Sequence, residues 1–270
     1  MRTALTQCAL SVMLAALVAH AAWGADEREN PDNEIWARVR ANLFGGRSLV
    51  EDDGTRIRFS LPARAADAAA VPLSVRVEPL PGEPAPAKLY LVIDRNPSPI
   101  AGIFEFGPGS GGTELETRVR IEDYTWVRAI AEAQDGSLVF AKRFVKAAGG
   151  CSAPAGKKLS ERLQGLGQMK WRVDGPQPAG RPIPVLLMIR HPNNSGLAMD
   201  QLTRFYDPAY YVRSVKVTRN GEQVFAADVD FSISENPAFR FTVRPGSTGA
   251  LHAEVVDTND LKFESDAPAR

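Results

Sequence analysis

The residue most able to do covalent chemistry is Cys151, in the stretch GGCSAP. Gly149 and Gly150 precede it, and Ser152, Ala153 and Pro154 follow. A thiolate is a nucleophile, and glycine gives a backbone freedom that other residues lack. The chain holds 2 cysteines. Cys8 falls in an N-terminal segment with the marks of a secretory signal: Arg2, an apolar run over Cys8–Ala19, and small residues at Ala22 and Gly24. Cleavage near residue 24 would leave Cys151 as the sole thiol, with no intrachain partner for a disulfide. An odd cysteine in an exported protein points to an intermolecular bridge or a reactive thiol. These features predict a Sec-exported periplasmic protein with an accessible, mobile segment over residues 148–156.

Other candidate chemistry is thinner. His191 lies in RHPNNSG at a strand end. It is a candidate neighbour of the thiol, but no spacing ties the two together, which favours a histidine bonded to nearby backbone. Lys157 and Lys158 are too far along the chain from Cys151 to weigh heavily on its acidity. The sequence pattern offers no metal-ligand cluster, and GPGSGG over residues 107–112 lacks the lysine of a phosphate loop. No nucleophile, base and orienting group recur at an enzyme-like spacing, so a non-enzyme is expected. Lys+Arg and Asp+Glu are equal at 32 each, without the basic excess of a nucleic-acid binder or a polybasic membrane patch.

The elements that must position Cys151 read as all-β. PDNEIWARVRANLFGG has the spacing of one short helix, with Ile35, Trp36, Val39 and Leu43 on one face. Alternating or apolar runs then follow: TRIRFSLP, VPLSVRVEP, KLYLVID, TRVRIE, TWVRAIAEA and SLVFAKRFVKA. A second series runs IPVLLMIRHP, a hairpin turning at Asn220-Gly221, FRFTVRP and ALHAEVVDT. Short strands separated by turn signals suggest two β-sandwiches. The expected units are a signal at 1–24, a first sandwich at 25–147, a Gly/Pro-rich linker carrying the thiol at 148–182, and a second sandwich at 183–265. ESDAPAR at the end should be frayed.

Both halves resemble a known pair of families. VPLSVRVEP through DRNPSP to VKAAGGC resembles SoxY, the sulfur-carrying subunit of periplasmic sulfur oxidation. RHPNNSG, VRSVKVTRNGEQVF and SISENP resemble SoxZ, its partner subunit. The joined order is similar to fused SoxYZ-like carriers associated with PQQ-dependent quinoprotein dehydrogenases. The resemblance implies immunoglobulin-like sandwiches that pack together, Cys151 as covalent carrier, and Gly149 and Gly150 as a flexible arm. It implies no bound cofactor beyond a covalent sulfur adduct on Cys151. Its partners would be sulfur-oxidation enzymes, as in thiosulfate oxidation, or a quinoprotein dehydrogenase. In SoxY the cysteine closes a free C-terminal tail; here the chain continues, so the arm is a loop. Two readings follow: a carrier holding a sulfur group on Cys151, or a non-catalytic accessory module of a quinoprotein dehydrogenase system.

Overall fold

The computed structural model describes residues 27–154, 156, 158–175, 180–200, 203–246 and 248–268. The expected signal at 1–24 lies outside them. After a 3-10 turn at Glu27–Glu29, helix α1 spans Glu34–Phe44. Fifteen strands follow, β1(Leu49–Glu51), β2(Ile57–Ser60), β3(Val71–Val77), β4(Pro86–Ile93), β5(Ile100–Phe106), β6(Thr113–Val119), β7(Thr125–Ala133) and β8(Leu138–Val145) in the first half. A four-residue helix α2(Leu159–Arg162) joins them to β9(Met169–Val173), β10(Ile183–Ile189), β11(Val212–Arg219), β12(Glu222–Val229), β13(Ala238–Val243), β14(Leu251–Asp257) and β15(Lys262–Asp266).

The two sandwich halves are joined edge to edge, so both sheets run through the molecule. One sheet has nine strands in the order β1-β8-β7-β4-β5-β12-β11-β14-β15; the other has six, β2-β3-β6-β13-β10-β9. The seam of the larger sheet is the antiparallel pair β5–β12, in register from Phe106↔Phe225 to Gly102↔Val229. The seam of the smaller one is β6–β13, at Glu116↔Arg240. Alternation explains the facing: β3 and β6 bury every second residue, as VPLSVRV and TELETRV dictate. Apolar residues of both halves then meet in one core. Phe225 of β12 stacks on Phe241 at 4.8 Å and also touches Phe104 and Phe106 of the first half. The hairpin at Asn220-Gly221 forms as expected. Its turn residues have φ of 52° and 80°, the left-handed pair that a two-residue turn requires.

Helix α1 covers the outer face of the nine-stranded sheet, packing Trp36, Val39 and Phe44 on Val92, Ile130, Leu138 and Phe140. Asn33 caps it by accepting from the Trp36 N–H at 2.9 Å and donates to Asp94 at 2.8 Å. Asp94 is fully buried and takes both prongs of Arg128, at 2.9 and 2.7 Å, while that guanidinium lies 4.2 Å from the Trp36 ring. Asp94 in DRNPSP is therefore an ion-pair anchor for the helix.

Two boundaries differ from the sequence reading. The 148–182 stretch is not linker throughout. MKWRV forms β9, which pairs with β10 from Val173↔Val185 to Met169↔Ile189. The terminal ESD is not frayed: Glu264, Ser265 and Asp266 belong to β15, paired to β14, and Ala267 is buried. Both strands lie at sheet edges, where one neighbour suffices and a weak pattern can still be recruited.

Because the core is shared, the halves should unfold together. Phe225→Ala removes the ring at the seam and should cost about 3–5 kcal/mol. Urea melts followed by fluorescence and by far-ultraviolet dichroism should shift as one coincident transition; separate transitions for the two halves would contradict a continuous core.

Candidate functional site at the seam

Cys151 follows β8 and sits where the two halves meet. Three backbone features fix it. Gly149 has φ of 77°, a left-handed conformation that favours glycine. Gly150 passes so close to the Ala68 and Ile121 carbonyls that a Cβ would lie 2.0 Å from the first oxygen. The Gly149 and Gly150 N–H groups donate to the Glu122 and Ile121 carbonyls at 2.8 and 2.9 Å. The glycine pair is therefore required by conformation and packing, and Gly149 and Gly150 do not form a free arm here. Sequence cannot separate the two uses, because both select for a missing side chain.

Glu122 closes the segment from one side. Its Oε2 accepts from the Cys151 and Ser152 N–H groups at 2.8 and 3.0 Å, and its Oε1 accepts from the Ser152 hydroxyl at 2.7 Å. From the other half, the buried Ser195 hydroxyl donates to the Cys151 carbonyl and accepts from the Leu197 N–H. The result is a thiol with 1% of its surface exposed. Ala148, Pro154 and Gly156 are exposed around it, so the expectation of an accessible segment holds for its flanks and fails for the cysteine.

Burial pushes the Cys151 thiol up to about 12, with Glu122 and Asp230 adding to the rise and Arg120 opposing it. Arg120 is itself buried and is held by the Phe231 and Ile233 carbonyls at 2.8 and 2.7 Å. Its desolvation pulls its own pKa down, with the Cys151 charge among the influences opposing that. So the second half clamps the cation that faces the first half's cysteine. Asn96 braces the same place: its amide donates to the Arg120 carbonyl and the Ser232 hydroxyl at 2.8 and 3.0 Å, and its oxygen accepts from the Glu122 N–H at 2.9 Å. DRNPSP, RHPNNSG and SISENP thus converge at the seam, as turn and interface residues.

His191 is placed elsewhere. Its Nδ1 accepts from the Asn193 N–H at 3.0 Å, its ring lies 4.6 Å from Tyr210, and Nε2 stands 3.5 Å from Asp257. Burial holds its pKa below the usual histidine value, against the raising influence of Asp257. It is a strand-end structural histidine. Ser195, later in the same loop, is the residue that reaches the cysteine. Helix α2 is tied down nearby through Arg162, which donates to the Pro192 carbonyl and Asn194 and pairs with Asp207 and Glu235. Lys157 lies outside the described residues, and Lys158 is exposed. Among the described residues no cluster of three or more His, Cys, Asp or Glu side chains is arranged for a metal.

Fold and site together define a double β-sandwich with one enclosed thiol at the seam of its halves. The family described as "Sulfur oxidation protein SoxY" matches residues 40–151, and that described as "Sulphur oxidation protein SoxZ" matches residues 171–268. The chain belongs to these two families in tandem, as a fused SoxYZ-like protein. No curated protein matches it significantly. Among solved structures, the tetra-tandem repeat in the extending region of a large adhesion protein aligns with a TM-score of 0.24 and 14% identity, over 78% of this chain and 47% of that one. The chain thus spans about half the length of that structure.

The protonated thiol should leave a signature in alkali. Its folded value is raised from 9.0 to about 12, so its stabilising contribution is complete below pH 9 and is lost as pH rises toward 12. The stability difference between wild type and Cys151→Ala, from urea melts, should therefore shrink across that window. His191 works in the opposite range. With its folded value lowered from 6.5, its contribution is present above that pH and is lost on acidification. His191→Asn should flatten the acid limb of stability against pH.

Proposed function

We infer that this chain has a carrier or accessory role in sulfur oxidation, supported by the SoxY and SoxZ segments in one chain. We propose that this protein is a periplasmic carrier that holds a sulfur-containing group covalently on Cys151 for partner enzymes, exported on the signal at residues 1–24. The observation that carries this reading is the end of the SoxY match, which falls on Cys151 itself. The loading chemistry is thiol exchange. The Cys151 thiolate attacks the outer sulfur of a donor persulfide, a bond forms between the two sulfurs, and the donor leaves as a thiolate. The charge moves to the donor and no net oxidation occurs. The chain holds and presents the group, and the partners do the catalysis. Fusion keeps the two halves paired on dilution, since a linker raises their effective concentration to about the millimolar range.

The enclosure of the thiol favours a second reading, in which the sandwich is an accessory module of a quinoprotein dehydrogenase system and Cys151 is a core residue. A free thiol buried to 1% exposure is an ordinary small apolar side chain.

Intact mass separates the two. Protein from its own periplasm, grown with reduced sulfur, should be a mixture of the bare chain and a form heavier by one sulfur or by a sulfonate group. Reductant should return a persulfide to the bare mass, and Cys151→Ser should give the bare mass alone. Bare wild-type protein under every growth condition, with Cys151→Ser fully functional, would support the accessory module instead.

A further inference from the structure

Resting on the carrier reading, we propose that Glu122 and Ser195 form a two-sided catch that shuts Cys151 into the seam, one jaw from each half, and that carriage requires the catch to open.

The contacts around Cys151 fall into two kinds. The bonds of Gly149 and Gly150 to carbonyls of residues 121 and 122 are backbone bonds that extend the end of β8. Beyond them, the hold on residues 151 and 152 is made by side chains: the Glu122 carboxylate with its three donors, and the Ser195 hydroxyl on the Cys151 carbonyl. Side-chain contacts can be released without unpairing a sheet. The carboxylate bonds are the stronger jaw, because an ionised acceptor strengthens each bond. Ser195 is the jaw supplied by the second half, and an isolated antiparallel bridge, Met199↔Tyr206, lies just past it. Past the cysteine, Pro154 and Gly156 are exposed, so the released segment has solvent to move into. With the Gly149 and Gly150 bonds intact, an opened Cys151 can swing about 3.5 Å, one extended residue; release of those two backbone bonds as well, with Ala147 still buried, lengthens the reach to about 14 Å, four extended residues. Closed, the thiol is kept from stray disulfide formation in an oxidising compartment; opened, it regains solvent and with it an ordinary thiolate population.

The test is the rate at which a small neutral maleimide modifies Cys151 in the folded full-length chain, over a range of urea well below the melting transition. Wild type should react slowly, with little dependence on urea, as local opening requires. Glu122→Ala should react about tenfold faster or more, with Ser195→Ala intermediate and the double variant fastest. Ser195→Ala changes no charge, so its acceleration reports opening and not a shift in thiol acidity. Glu122→Gln serves if the alanine variant does not fold, since its carbonyl is a neutral acceptor for the two backbone N–H groups and its NH2 no longer accepts from the Ser152 hydroxyl, so labelling should accelerate, by less than in the alanine variant. Folded variants that react at the wild-type rate would overturn the catch. So would wild-type labelling that tracks global unfolding. Because the maleimide reports access and not natural cargo, a working catch on a protein that never carries an adduct would sink the carrier reading and leave the catch standing.

Discussion

The pairing of β5 with β12 is the constraint on which the remaining architecture rests. It converts two short sandwiches into two continuous sheets and puts Phe104 and Phe106 of one half against Phe225 of the other. Burying such rings is worth roughly 1.5–3 kcal/mol each, so the seam is a core and not a docking face between separate lobes. Glycine makes the approach feasible. Gly107 lies where a Cβ would come within 2.3 Å of the Gln223 carbonyl, and at Gly102 a Cβ would press on Phe104 and Val229. With the seam fixed, Asn96, Arg120 and Glu122 from the first half and Ser195 and Ser232 from the second are brought around one cysteine.

Polar groups buried at the seam follow a consistent logic. Arg120 is satisfied by carbonyls and Asn96 by both halves; away from the seam, beneath helix α1, Asp94 is satisfied by Arg128 and Asn33. Each buried charge has partners, as low dielectric demands. Cys151 is the exception in kind: it is stabilised by staying neutral. Its environment has two carboxylates and one guanidinium acting on it, and desolvation outweighs the guanidinium. The closed site is thus suited to keeping a thiol inert, and reactivity belongs to a conformation in which water reaches it.

Much of the fold could be read from periodicity. The alternation of β2 and β3, the largely apolar runs of β7 and β8, the Asn220-Gly221 turn and the apolar stripe of α1 all carried local signals that tertiary packing left intact. Strand β5 was hidden because Gly102 interrupts IAGIFEF, and β9 because it lies within a stretch whose glycines and prolines read as linker. At the site, the identity of the cysteine was legible and its surroundings were not. Glu122 and Ser195 are ordinary polar residues in a strand-end turn and a loop, and only the packing of the halves brings them to residue 151. Arg120 sits in TRVRIE, whose alternation extends β6; the strand stops at Val119, and the arginine turns inward to the second half. Gly149 and Gly150 carry a signal that serves mobility and tight packing equally.

The continuous sheets make the covalent joint between the halves topologically incidental. Every strand that crosses the seam does so by pairing with a strand of the other half, and the chain itself passes between them only through the segment after Cys151. Cleaving the backbone between Pro154 and Leu159 would therefore leave the sandwich assembled as two interlocked fragments. The first fragment would then end a few residues past its cysteine, turning an internal loop into a free tail without disturbing any strand. In this sense the molecule is a heterodimer written as one polypeptide, and one proteolytic event would change how far its thiol can extend while leaving its shape intact.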